Sequence, residues 1–215
     1  MIPKKEGFNL VMLGSWNPSV FNEDWILQNL IEDKSTPLTI AFPLDDPTAA
    51  RKITFDGIDL FPGRKQVLLS PKDTTLEGLQ KCSKVLLKII TLLAHTPVRQ
   101  FGVNFNFIED NNFSKIDSVF NFSDKTEIEK GELKLEESRV ARKFLLPEGH
   151  SLNLTLADLN SVVEIGFNFH YEINDLSKYI ELFSGSYLSD QHETALDVCK
   201  NYYGIELEED DQNGI

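Results

Sequence analysis

Two stretches of this chain alternate large apolar and small or polar residues so regularly that the rest can be read around them. Phe101 to Phe107 runs Phe-Gly-Val-Asn-Phe-Asn-Phe, and 64 residues later Ile165 to Tyr171 runs Ile-Gly-Phe-Asn-Phe-His-Tyr. A period of two is the side-chain period of a β-strand, so each stretch puts its large residues on one face. That face carries Phe101, Val103, Phe105 and Phe107 in the first copy and Ile165, Phe167, Phe169 and Tyr171 in the second. The other carries Gly102, Asn104 and Asn106, then Gly166, Asn168, His170 and Glu172. Strands apolar on one face belong in an antiparallel or mixed sheet, because those of a doubly wound parallel sheet are apolar on both. Each copy runs into a similar tail, Asn111 to Phe120 and Asn174 to Phe183, so the pair reads as a duplicated strand-turn-helix with helices over Phe113–Phe120 and Leu176–Phe183.

The pattern elsewhere supplies the remaining elements. Phe8 to Leu13 is a short apolar run ended by Gly14-Ser15 and reads as a buried strand. Asn22 caps a helix with an apolar stripe of Trp25, Leu27, Leu30 and Ile31, and Leu38 to Phe42 is a second strand. Lys52–Phe55, Ile58–Phe61 and Lys65–Leu69, joined by Asp56-Gly57 and Pro62-Gly63, predict an antiparallel meander, since glycine supplies the positive φ of tight hairpin turns. Thr74 to His95 is a helix with capping-box spacing at Thr74 and Glu77, an apolar face through Leu79, Cys82, Leu86 and Ile90, and a solvated face with Lys81, Lys84 and Lys88. Leu133–Leu135, Val140–Leu146 and His150–Leu156 read as strands, the last two joined at Pro147–His150. A last helix from about Ser189 to Tyr203 ends at Gly204. Together these predict one α+β domain over residues 1–205, made of two related halves (about 1–96 and 97–205). Its twisted, mostly antiparallel sheet is covered on one face by helices, and residues 206–215 form an acidic, disordered tail.

Composition narrows the functional classes. At 215 residues and 41% hydrophobic, the chain buries a core without staples, and its two cysteines, Cys82 and Cys199, lack metal-ligand spacing and read as reduced thiols of a cytoplasmic protein. There is no signal-peptide pattern and no run long enough for a membrane span. The net charge of −13 divides unevenly: residues 1–100 hold 12 basic and 11 acidic side chains, net +1, and residues 101–215 hold 9 and 23, net −14. Such a field disfavours nucleic acid and anionic membranes and attracts a basic protein surface, with Glu127, Glu129, Glu136 and Glu137 as candidate contacts. The same acidity also serves solubility.

Chemistry is harder to find. The chain has no phosphate-binding glycine loop, dinucleotide fingerprint, nucleophile elbow or paired Cys or His motif, and this predicts no cofactor, no metal and no enzymatic activity. His95, His150, His170 and His192 are isolated and read as surface or helix-end residues. His170 and Glu172 share a strand face as an acid/base pair would, and Asp45-Asp46 lie in a loop that could bind a cation. The shared glycine-asparagine spacing is less ordinary, since both residue types are depleted in strands. Either the amides bond to one another or to a neighbouring carbonyl while the glycines admit a close approach, or Asn104, Asn106, Asn168, His170 and Glu172 line a ligand groove. The leading expectation is a non-enzymatic interaction module, of the antagonist, immunity or adaptor type, whose acidic C-terminal half binds a basic or helical partner surface. The alternatives are a small-ligand binder or enzyme at the polar strand faces, and a homodimer that buries a sheet edge or face.

Overall fold

Alternation becomes pairing in the computed structural model, which describes residues 1–43, 50–109, 116–131, 134–147, 149–159, 162–173, 175–184 and 186–208. The chain forms β1 (Ile2–Pro3), β2 (Asn9–Gly14), α1 (Glu23–Asn29), β3 (Thr39–Ala41), β4 (Lys52–Phe55), β5 (Ile58–Pro62), β6 (Gln66–Pro71) and α2 (Leu76–Leu92). It continues with β7 (Val98–Glu109), α3 (Lys125–Lys130), β8 (Ser138–Leu145), β9 (Ser151–Asp158), β10 (Val163–Glu172), α4 (Leu176–Ser184) and α5 (Tyr187–Val198). The strands make one ten-stranded sheet in the order β3-β4-β5-β6-β2-β7-β10-β9-β8, with β1 also on β7. Each described pairing is antiparallel, so the molecule is an α+β protein.

The strand order gives the sequence a simple spatial reading. The meander β4-β5-β6 returns to lie beside β2, and β8-β9-β10 returns to lie beside β7. β2 and β7 then join, with Leu10 opposite Val103 and Met12 opposite Phe101. Apart from β1, the strands before and after about position 97 therefore lie on opposite sides of the β2–β7 junction. The two similar strands, β7 and β10, are direct neighbours with Asn104 opposite Asn168.

Their aromatic residues build the core. Phe101, Phe105, Phe107, Phe167 and Phe169 are fully buried, and Phe101 packs edge-on against Tyr179 and Phe183 of α4. Phe105 packs against Phe169, and Phe8, Phe105 and Phe107 surround His192 of α5. α2 packs on β2, β5 and β6 and meets α4 and α5. Cys82 and Cys199 are buried and unpaired, and loss of solvent pushes both thiols up to about 12.

Several local expectations shift. The cap of α2 is Thr75, whose hydroxyl accepts from the Gly78 amide at 3.0 Å, while Thr74 takes a positive φ of 49° just outside the helix. Asp117–Phe120 is a 3₁₀ turn, and residues 113–115, expected to begin a helix there, lie outside the described residues, as do Asp45 and Asp46. No strand forms over the described part of 133–135. The last helix starts at Tyr187 and ends in a π-helical turn, Cys199–Tyr203, closed by Gly204 at φ 63°. Residues 206–208 of the expected tail are anchored: the Met1 ammonium donates to the Glu206 carbonyl at 2.8 Å and pairs with the Glu109 carboxylate at 2.8 Å, and the Glu208 amide donates to the Met1 carbonyl.

Candidate functional site

A half-buried amide in a strand has to find partners. On the polar face the register gives Asn104 two neighbours, Asn9 of β2 and Asn168 of β10, and sets Asn168 beside Asn153 of β9. The four amides form a directional chain. Asn153 Nδ2 donates to Asn168 Oδ1 at 2.9 Å, Asn168 Nδ2 to Asn104 Oδ1 at 2.7 Å, and Asn104 Nδ2 to Asn9 Oδ1 at 2.7 Å.

This chain is the middle of a longer polar row. At one end Lys143 of β8 lies opposite Asn153. At the other, one step beyond the Leu10–Leu69 pair, the row passes to Ser70 of β6 and on to Asp59, Thr54 and Thr39 of β5, β4 and β3. Ser70 Oγ donates to the Phe8 carbonyl at 3.0 Å, Thr54 Oγ1 to Asp59 Oδ1 at 2.6 Å, and Lys52 Nζ meets Asp59 Oδ2 at 2.6 Å. The row thus crosses every strand of the sheet's main path.

The glycines make room for these amides. A Cβ on Gly102 would lie 2.9 Å from Asn168 Nδ2, and one on Gly166 would lie 2.8 Å from Asn106 Oδ1. Asn106 turns Oδ1 toward Gly166 because its Nδ2 donates the other way, to the Gly7 carbonyl at 2.8 Å. Beside the amide chain a cleft of about 220 Å³ opens over Gly166, reached by Asn104, Asn106, Asn153, Thr155 and Asn168, with Glu164, Ala157 and Arg139 on its far side.

Of the residues singled out by sequence, Asn104, Asn106 and Asn168 come together at this cleft. His170 lies further along β10, opposite Gly102 and Ser151, and Glu172 lies opposite Gln100; the two are not bonded to one another. Asn9, Asn153, Thr155 and Arg139 were not singled out. The signal for Asn9 and Asn153 was the same, an asparagine inside an alternating apolar run, but their pairing partners are remote in sequence.

The acidic candidates lie elsewhere. Glu127 pairs with Lys130 at 2.8 Å, Glu136 is exposed and partnered, and Glu137 accepts from Arg139 Nε and Nη2 at 2.8 and 2.6 Å. The side chain of Glu129 lies outside the described residues. A more open acidic stripe, missed in the sequence, runs along α5: Asp190, Glu193 and Asp197 are exposed at helical spacing, and among the described residues no cation pairs with them. Two histidines depart from the surface reading. His150 is buried and stacked on Tyr171 at 4.3 Å, and burial lowers the pKa of His192.

Among the described residues no group of three or more His, Cys, Asp or Glu side chains could hold a metal ion, and no helix is long and apolar enough to cross a membrane. Compared with known proteins, the chain matches no family model and no curated protein.

Proposed function

We propose that this is a non-enzymatic interaction module that binds a basic partner surface through its acidic C-terminal half. The observation that carries this reading is the strand order: it sets β7 to β10, the strands of the acidic half, side by side in the sheet, which supports reading the charge asymmetry of the sequence as an asymmetry of the molecule. α5, which packs on α2, α4 and β7, offers Asp190, Glu193 and Asp197 to solvent in one stripe, where three carboxylates act together on an approaching cation. Glu127 and Glu137, held by Lys130 and Arg139, contribute to the field more than to direct contacts.

The reading extends to the architecture. We take the recurrent plan, a first strand, a meander returning beside it and then a helix, as two related halves over about 1–96 and 97–205, and the sheet's aromatic face as the one the helices cover. One domain over 1–205 and a cytoplasmic setting fit the contiguous core and the two buried free thiols.

The test is capture from a native lysate by the wild-type protein, by a triple Asp190→Lys, Glu193→Lys, Asp197→Lys variant, and by a Lys81→Glu, Lys84→Glu control on the other half. Basic partners released by salt, retained by the control and lost by the α5 variant are the expected result. Partners indifferent to reversal both on α5 and at Glu127, Glu129, Glu136 and Glu137 would sink the proposal.

A further inference from the structure

We propose that the cleft over Gly166 is a binding site for a small, uncharged polyhydroxyl ligand, a single sugar ring or a comparable polyol. The inference is independent of the acidic surface of α5.

The site follows from register. Gly166 contributes no side chain, which leaves a notch in the polar face of β10 that Asn106 Oδ1 overhangs. In its own row stand Asn106 of β7 and Thr155 of β9. The next row one way is the amide chain through Asn168, and the next row the other way holds Glu164 beside Ala157. The resulting 220 Å³ lies below the roughly 300–1,000 Å³ of sites for drug-sized molecules, which limits the occupant to about one ring.

Charge selects the class. Arg139 at the rim is engaged through Nε and Nη2 by Glu137, and Glu164 is engaged by Lys4 at 2.5 Å, so each ion already has its counter-ion. A charged ligand would exchange water for neutral amides and lose solvation it does not recover.

The hydrogen-bonding groups select further. A primary amide has two N–H groups and two lone pairs, and Asn168 gives one N–H to Asn104 and one lone pair to Asn153. Asn106 has its nitrogen held by Gly7, which turns Oδ1 over the notch as an acceptor. Thr155 adds a hydroxyl. Donors and acceptors interleaved at the roughly 4.8 Å strand spacing match groups that both donate and accept, which is the chemistry of neighbouring hydroxyls on a ring. Gly166 and Ala157 line the cleft without adding a polar side chain. The amide chain from Asn153 to Asn9 needs neither Thr155 nor an open notch, and those are the features a ligand would use.

The experiment is an NMR titration of the asparagine side-chain amides with glucose, galactose, mannose and glycerol, and with gluconate and glucosamine as anionic and cationic relatives. The expected result is saturable shifts at Asn106, Asn153 and Asn168 with at least one neutral probe, and binding about tenfold weaker for the charged relatives. Thr155→Val, which exchanges a hydroxyl for a methyl, should weaken binding about tenfold; Asn106→Ala replaces it if that variant does not fold. Absence of a saturable shift with every neutral probe overturns the proposal. So does a charged relative that binds as tightly, or binding unchanged in the variant.

Discussion

Asn168, like Asn104, sits inside the amide chain and makes two of its bonds: it accepts from Asn153 and donates to Asn104. Asn168→Ala strands the Asn104 oxygen and the Asn153 nitrogen in a half-buried strip, each having lost a bond worth about 1 kcal/mol net. Asn9 only accepts in this chain, so Asn9→Ala strands one group. Urea unfolding is expected to show a loss of about 2 kcal/mol for Asn168→Ala and about half that for Asn9→Ala. Equal losses would mean that the chain is not a unit. This strip was partly legible in the sequence: an asparagine in an apolar alternation is a poor strand former, and Asn104, Asn106 and Asn168 stood out for that reason. What was not legible was which amide meets which, because Asn9 and Asn104 are 95 residues apart and pair only once β2 and β7 do.

At the scale of elements, α5 is the most informative. It buries Tyr187, Leu188, Gln191 and Ala195 and sets His192 against three uncharged rings, Phe8, Phe105 and Phe107. Loss of solvent disfavours imidazolium there and lowers the folded-state pKa below the ordinary value of about 6.5. The unfolded chain then binds a proton in a pH range where the folded one does not, so stability rises with pH. The contribution is fully present above about pH 6.5 and is lost as pH falls toward the lowered folded value. Denaturation midpoints between pH 7 and 5 should therefore fall for wild type, and the fall should be much smaller in His192→Phe, which keeps a ring in the aromatic cage. An identical acid limb in the variant would place the titration elsewhere. The helix itself was legible from the spacing of Ala195, Leu196, Val198 and Cys199, whereas the burial of His192 was not: a lone histidine carries no mark of what packs on it. Local stereochemistry explains the smaller shifts. Thr74 and Thr75 are both competent caps, and only the backbone turn decides that Thr75 faces the Gly78 amide.

For the whole molecule, period-two patterns identified an antiparallel sheet, but strand order depends on pairings between distant segments that no local pattern encodes. That order carries a thermodynamic consequence. β2 and β7 are central strands, each backed by a meander, and the apolar side chains on either side of their junction belong to one continuous buried cluster. α2 belongs to the first half yet packs on α4 and α5 of the second. Exposing either half would uncover apolar surface on the other, so the two are expected to unfold together. The chain supplies separate reporters: both tryptophans, Trp16 and Trp25, lie in the first half, and in a Cys82→Ala background Cys199 reports the second. With its thiol buried and its pKa pushed up to about 12, Cys199 forms little thiolate until the structure opens. Tryptophan fluorescence and labelling by a thiol reagent along one urea series should give a single midpoint. If Cys199 reacts at a urea concentration where the tryptophans are still native, the second half opens alone, and the protein is two units that share a sheet.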